Sequence, residues 1–166
     1  MIPSDLDLDG LLKRLNLAWT RRHWHDLVAK AETEAWTYRD FLGLLVAEEV
    51  AHRRQTSIQR RLRAAHFPFL KTIDDFDFSL QSTVRLALLG SYLSPDFVTE
   101  GRSLILHGKP GRGKTHLAIA IAYRAIQNGF DALFTTAAEL IDDLSHADRG
   151  HFRQALTTYT HPHVLV

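Results

Sequence analysis

Apolar residues in the first third of the chain recur at helical spacing. Leu8, Leu11, Leu12 and Leu15 repeat at three and four, the stripe of an amphipathic helix. A second helical pattern begins with Trp36, Phe41, Leu44 and Leu45. It runs on through Ala51, Ile58, Leu62 and Ala65 at spacings of seven, four and three. Gly10 and Gly43 are the only glycines before residue 66, and residues 5–66 hold no proline. The pattern predicts a small α-helical module over residues 1–66.

Pro68 ends that pattern, and HFPFLKTIDDFDF (66–78) reads as an extended stretch, giving a connector over 67–78. Residues 79–98 return to helical spacing, with Val84, Leu86, Leu88 and Leu89 apolar and Pro95 near the end. From Ser103 the grammar changes. SLILHG (103–108) is a short apolar run entering a glycine-rich loop, and HLAIAIAYRAIQNG (116–129) is a helix closed by Gly129. ALFTT (132–136) predicts a second strand, AAELIDDLS (137–145) a helix, 150–160 another helix, and HVLV (163–166) a third buried strand. Strands alternating with helices imply a parallel, doubly wound α/β sheet over 79–166.

Composition narrows the setting. Hydrophobic residues make up 45% and charged residues 23% of 166, the balance of a globular protein rather than a disordered one. With no cysteine, disulfides, thiolate metal sites and cysteine nucleophiles are excluded. No apolar run reaches the length of a membrane span, and the acidic start MIPSDLDLDG lacks the plan of a signal peptide, so a cytoplasmic location is expected. A net charge of +1 makes any nucleic-acid footprint a local one.

The chemistry is concentrated in one loop. Gly108, Lys109, Pro110, Gly111, Arg112, Gly113, Lys114 and Thr115 satisfy G-x-x-x-x-G-K-[ST], with an apolar run before them and a helix after, and these residues with His116 are the expected nucleotide-binding set. Glycines let such a loop curl into a nest of amides aimed at phosphates, and the helix adds its positive end. Lys114 is expected to reach the β- and γ-phosphates of ATP, and the Thr115 hydroxyl to hold Mg2+.

Other clusters read less sharply. Arg53, Arg54, Arg60, Arg61 and Arg63 occur with no acid between 51 and 66. At helical spacing Arg53 and Arg60 lie opposite the Ala51–Ile58–Leu62 stripe, with Arg54 and Arg61 on its flank, as either a solvated face or a surface for DNA phosphates. Trp19, Trp24 and Trp36 read as packing residues, and Phe76 and Phe78 as packing residues or the lining of an adenine pocket. His23, His25, His161 and His163 have no acidic or cysteine partner at ligand spacing. Asp142 and Asp143 follow the second strand, not the third, and so differ from the metal-holding acids of a nucleotide-hydrolysing site.

The chain resembles the IstB-like ATPases that assist insertion-sequence transposases, and the related DnaC helicase loaders. The resemblance rests on RRLRAAHFPFLKTIDDFDF (60–78), LILHGKPGRGKTHLAIAIA (104–122), FTTAAEL (134–140), the helix around Phe152–Tyr159, and the final HVLV. The most discriminating piece is K-T-x-x-D-F-D-F, here Lys71 to Phe78. Such a likeness implies a P-loop NTPase core of AAA+ type, incomplete here and preceded by the α-helical module. It implies ATP and Mg2+ as cofactors, double-stranded DNA and a transposase or replicative helicase as partners, and assembly into a homo-oligomer. Lys109 and Arg112 depart from the family's usual Gly-Pro-Pro-Gly-Thr-Gly and add positive charge beside the phosphates. The family's Walker B acids come after the third strand. The resemblance therefore reads the sequence as the front portion of a longer protein, and leaves open a remnant that binds without hydrolysing.

Overall fold

The structure, a computed structural model, describes residues 7–80, 86–148 and 150–166. Part of the helix expected over 79–98, including Val84, falls on 81–85 and lies outside the described residues. Its remainder forms α4 (Leu86–Leu93) and the short α5 (Asp96–Thr99), with a 3-10 turn at Phe78–Leu80 before them.

The chain divides into two compact units, Met1–Ser57 and Ile58–Val166. The first holds α1 (Leu8–Arg14), α2 (Ala18–Thr33) and the first part of α3 (Tyr38–Ala64). Asp7 caps α1 by accepting from the Gly10 N–H at 2.8 Å. α2 covers residues to which periodicity assigns no element of their own. It is tied to α3 by Glu49, whose carboxylate accepts from the Thr20 N–H at 2.8 Å and from the Thr20 hydroxyl at 3.0 Å.

The second unit is built on α6 (Lys114–Gln127), which is buried almost all round. Leu117 and Ala120 join Ile73, Phe76 and Leu89 in one cluster, while Ala122 and Ile126 join Ala65 and Ala132 in another. Ile119 and Ile126 are 0% exposed, and each such side chain contributes about 1.5–3 kcal/mol by leaving water. α6 ends where Gly129 takes a left-handed φ of 97°. There Gly129 N–H donates to Ile126 O and Phe130 N–H to Ala125 O, both at 3.0 Å, which satisfies the last carbonyls.

The dividing line falls inside α3, not at residue 66, because the end of that helix is core for the second unit. Ile58 and Leu62 pack on the second cluster, and Ala65 O accepts from the Phe134 N–H at 2.8 Å. After α6 come β1 (Ala132–Leu133), α7 (Ala137–His146), α8 (Phe152–Thr160) and β2 (Val164–Leu165). β1 and β2 pair in parallel, Ala132 with Val164 and Leu133 with Leu165. The result is a mostly helical chain with a small parallel sheet.

The strand expected at 103–108 is not formed as a strand. Residues 102–108 form neither helix nor strand and pair with no strand among the described residues, and Ile105 is 89% exposed. An apolar run becomes a strand only when a neighbouring backbone accepts its hydrogen bonds.

Candidate functional site

The loop from Gly108 to Gly113 leads directly into α6. Gly111 and Gly113 have φ of 74° and 78°, which L side chains rarely adopt. Gly113 is the N-cap of α6, and a Cβ there would meet the Phe76 ring at 2.6 Å. The glycine is thus required twice, by its backbone and by the ring laid against it. At Gly111 a Cβ would meet nothing within 4 Å, so only its backbone demands glycine.

Lys114, half-buried at the first position of α6, donates from Nζ to the Lys109 carbonyl at 2.9 Å, across the mouth of the loop. Thr115 is exposed beside it, and Arg112 and Lys109 add exposed positive charge. No acid lies in the first turn of α6 to oppose an arriving anion. The donor set is therefore amides, an ammonium, a hydroxyl and a helix N-terminus. It fits a polyphosphate, with the Thr115 oxygen suited to a hard cation such as Mg2+.

His116 faces the other way. Its Nε2–H donates to the Thr72 carbonyl at 2.9 Å, and its ring meets Phe76 edge-on at 5.2 Å. Asp75 accepts from the Thr72 N–H and hydroxyl, both at 2.9 Å. Those bonds, the backbone one foremost, hold the Asp75 carboxyl below its ordinary range, with Lys71 and His116 adding to the effect. The connector 71–78 is thus strapped onto the loop and the head of α6. Phe76 is buried in the core, and Phe78 packs on it at 4.9 Å. Motif spacing alone does not show that the connector supports the loop.

The arginine row separates into two kinds. Arg53 donates from Nε to Glu49 at 3.1 Å and from Nη2 to the Asn16 carbonyl at 2.8 Å. Arg61 pairs with Asp131 at 3.0 Å. Arg54 in the first unit, and Arg60 and Arg63 in the second, are exposed and make no hydrogen bond or ion pair among the described residues.

The remaining candidates are occupied locally. Trp24 donates to Asp9 at 3.1 Å and Trp36 to Glu34 at 2.8 Å. His23 stacks on Trp19 and His25 on Trp24, while His163 sits 3.8 Å from Asp131. Asp143 accepts from the Tyr159 hydroxyl, a bond that raises the phenol's pKa and ties α7 to α8. Among the described residues no group of three or more histidines and carboxylates could hold a metal ion, and no helix is long and apolar enough to cross a membrane.

A family profile described as IstB-like ATP binding protein matches residues 10–166. The chain is 34% identical over 154 residues to a protein of Geobacillus stearothermophilus named for ATP binding in insertion sequence IS5376. The match covers 92% of this chain and 61% of that one. A protein of Pseudomonas aeruginosa, named for ATP binding in insertion sequence IS21, is 32% identical over 161 residues, covering 96% and 61%. An insertion-sequence protein of Mycobacterium tuberculosis with a similar name is 36% identical over 163 residues, covering 97% and 61%. The chain thus spans about three-fifths of the length of these relatives.

Proposed function

The chain belongs to the IstB-like ATP-binding protein family, and on that premise we propose that Gly108–Thr115 binds ATP with Mg2+ in the service of insertion-sequence transposition. One observation carries this reading. The Lys114 ammonium rests on the Lys109 carbonyl at the head of α6, where it can leave one oxygen for another when a triphosphate arrives. Loop amides and the helix end would hold the β-phosphate, Lys114 would neutralise the β- and γ-oxygens, and Thr115 would hold the cation. Magnesium supplies charge neutralisation and fixes the phosphate geometry. The core would be of AAA+ type.

The partner class we propose is double-stranded DNA handled together with a transposase. The insertion-sequence names of the relatives support it. So do the exposed, unengaged guanidinium groups of Arg54, Arg60 and Arg63.

Calorimetric titration with ATP and Mg2+ tests the nucleotide reading. Lys114→Ala should weaken binding at least about tenfold, or roughly 1.4 kcal/mol. Thr115→Val should remove the gain in affinity that Mg2+ gives. Unchanged affinity in a folded Lys114→Ala protein overturns the assignment.

A further inference from the structure

The loop ahead of α6 owes its shape partly to residues outside it. Gly113 holds a left-handed φ of 78°, yet glycine reaches other backbone conformations as readily. A nest of amides binds an anion well only when its geometry is preset, because ordering it during binding costs affinity. Inside the loop, the bond from Lys114 to the Lys109 carbonyl at 2.9 Å must break when a triphosphate takes the ammonium. What can stay in place is the Phe76 ring, whose nearest atom is 2.6 Å from where a Gly113 Cβ would lie.

Phe76 closes a short turn over residues 72–76. Asp75 accepts from the Thr72 N–H and hydroxyl, both at 2.9 Å, and the Phe76 N–H donates to the Ile73 carbonyl at 3.2 Å. Ile73 and Phe76 are buried beside Leu117 and Ala120 of α6. A polar tie fixes the turn along that helix, where His116 Nε2–H donates to the Thr72 carbonyl at 2.9 Å. His116 is the third residue of α6, and the α-helical bonds start only after it, with Leu117 N–H on the Gly113 carbonyl at 3.0 Å. Its backbone therefore belongs to the turn whose amides lack helical partners and are offered to an anion, while its side chain grips the connector.

We propose that the turn over residues 72–76, clasped by the His116 side chain, is a positioning device for the nucleotide loop. It holds Phe76 against Gly113 and so sets the affinity for a triphosphate that neither the His116 ring nor Asp75 touches. His116 and Asp75 are positioning residues that act through one atom, the Thr72 carbonyl oxygen: Asp75 orients it and His116 bonds to it. The edge-on contact of the His116 ring with Phe76 at 5.2 Å is secondary to that bond. Glutamine therefore suffices at 116, since its Nε2 lies as many bonds from Cα as that of histidine and also donates. The proposal rests on the reading of Gly108–Thr115 as the nucleotide site.

Calorimetric titration of the whole chain with ATP and Mg2+, well below the melting temperature, provides the test. His116→Ala and His116→Phe remove the donor and should each weaken binding about three- to tenfold, whereas His116→Gln should bind as the unaltered chain does. Asp75→Ala, at an exposed carboxylate, should weaken binding likewise, and adding it to His116→Ala should cost little more, because both act through Thr72. A clasp with only a structural role would lower the melting temperature of His116→Ala and leave its affinity unchanged, and that result overturns the proposal. So does an equal loss in His116→Gln, or a double variant whose losses simply add. Should His116→Ala not fold, full affinity in Asp75→Ala overturns it. Loss of binding in Lys114→Ala with none in His116→Ala sinks this proposal alone. An unaltered chain that binds no ATP sinks the nucleotide reading, and the nucleotide-free loop then decides the clasp. In that case the heteronuclear NOE of the Gly113 amide should fall in His116→Ala and not in His116→Gln, and equal values overturn the proposal.

Discussion

Glu49 is 4% exposed, and its carboxylate takes two bonds from Thr20 and one from Arg53. Burial works to raise its pKa, but the Thr20 N–H, the Thr20 hydroxyl and the Arg53 guanidinium together outweigh it and leave the net shift downward from 4.5. A lowered folded value means that the stabilisation is present above about 4.5 and is lost as pH falls below it. Glu49→Gln should therefore destabilise the chain by about 1–3 kcal/mol near neutrality in denaturant melts, with the gap to the unaltered protein closing in acid. A gap that stays constant with pH would show that the charge is unimportant. At Gly113, alanine must adopt the left-handed φ of 78° and meet Phe76 at 2.6 Å. Gly113→Ala should lose at least about 1–2 kcal/mol, while Gly111→Ala, with open space around it, should lose only the conformational part. Equal losses would show that the Phe76 contact is not tight. The loop was legible in the sequence at this scale because its chemistry is local. Arg53 and Arg61 were not, since periodicity shows which way a side chain points and not that Asn16 or Asp131 waits there.

Among the elements, α6, α7, α8 and the long α3 all lie where apolar spacing placed them, within a few residues. α7 has a further local device in its capping box, where Thr136 Oγ1 accepts from the Glu139 N–H at 3.2 Å and the Glu139 carboxylate accepts from the Thr136 N–H at 2.8 Å. Thr136→Ala should reduce stability by about 0.5–2 kcal/mol and increase amide exchange in the first turn of α7, and unaltered exchange there would show that the cap is not limiting. α2 carried no readable stripe, because its fixing points are a buried threonine and polar rings, not a row of leucines. The parallel pairing of β1 with β2 was legible from strands alternating with helices, but the extent of the sheet was not. ALFTT and HVLV pair over only two residues each, and SLILHG pairs with nothing among the described residues. Pairing is a property of two segments, and the pattern of one cannot report the state of its neighbour.

At the scale of the molecule, the first helical pattern in the sequence ends at Pro68, whereas the compact units divide between Ser57 and Ile58. The end of α3 is helical like the residues before it and buried by the residues after it, and periodicity records only the first of these. That placement bears on the proposed partner. Arg60 and Arg63 belong to the unit that carries the loop, and both side chains are exposed and unengaged, whereas Arg61 on the same turn is held by Asp131 at 3.0 Å. If duplex DNA lies against this helix end, Arg60 and Arg63 supply phosphate contacts and Arg61 supplies stability. Arg60→Gln with Arg63→Gln should then leave the melting curve unchanged, weaken binding alike for unrelated duplexes, and lower the slope of log affinity against log salt by about 0.9 per lost contact. Arg61→Gln should instead lower the melting temperature through the lost tie to Asp131, by an amount limited because the pair is partly open to solvent. Fluorescence anisotropy across a salt series on two duplexes separates the outcomes. A salt slope unmoved by the double substitution would mean that Arg60 and Arg63 only solvate the helix, and that the DNA surface must be sought elsewhere on the chain.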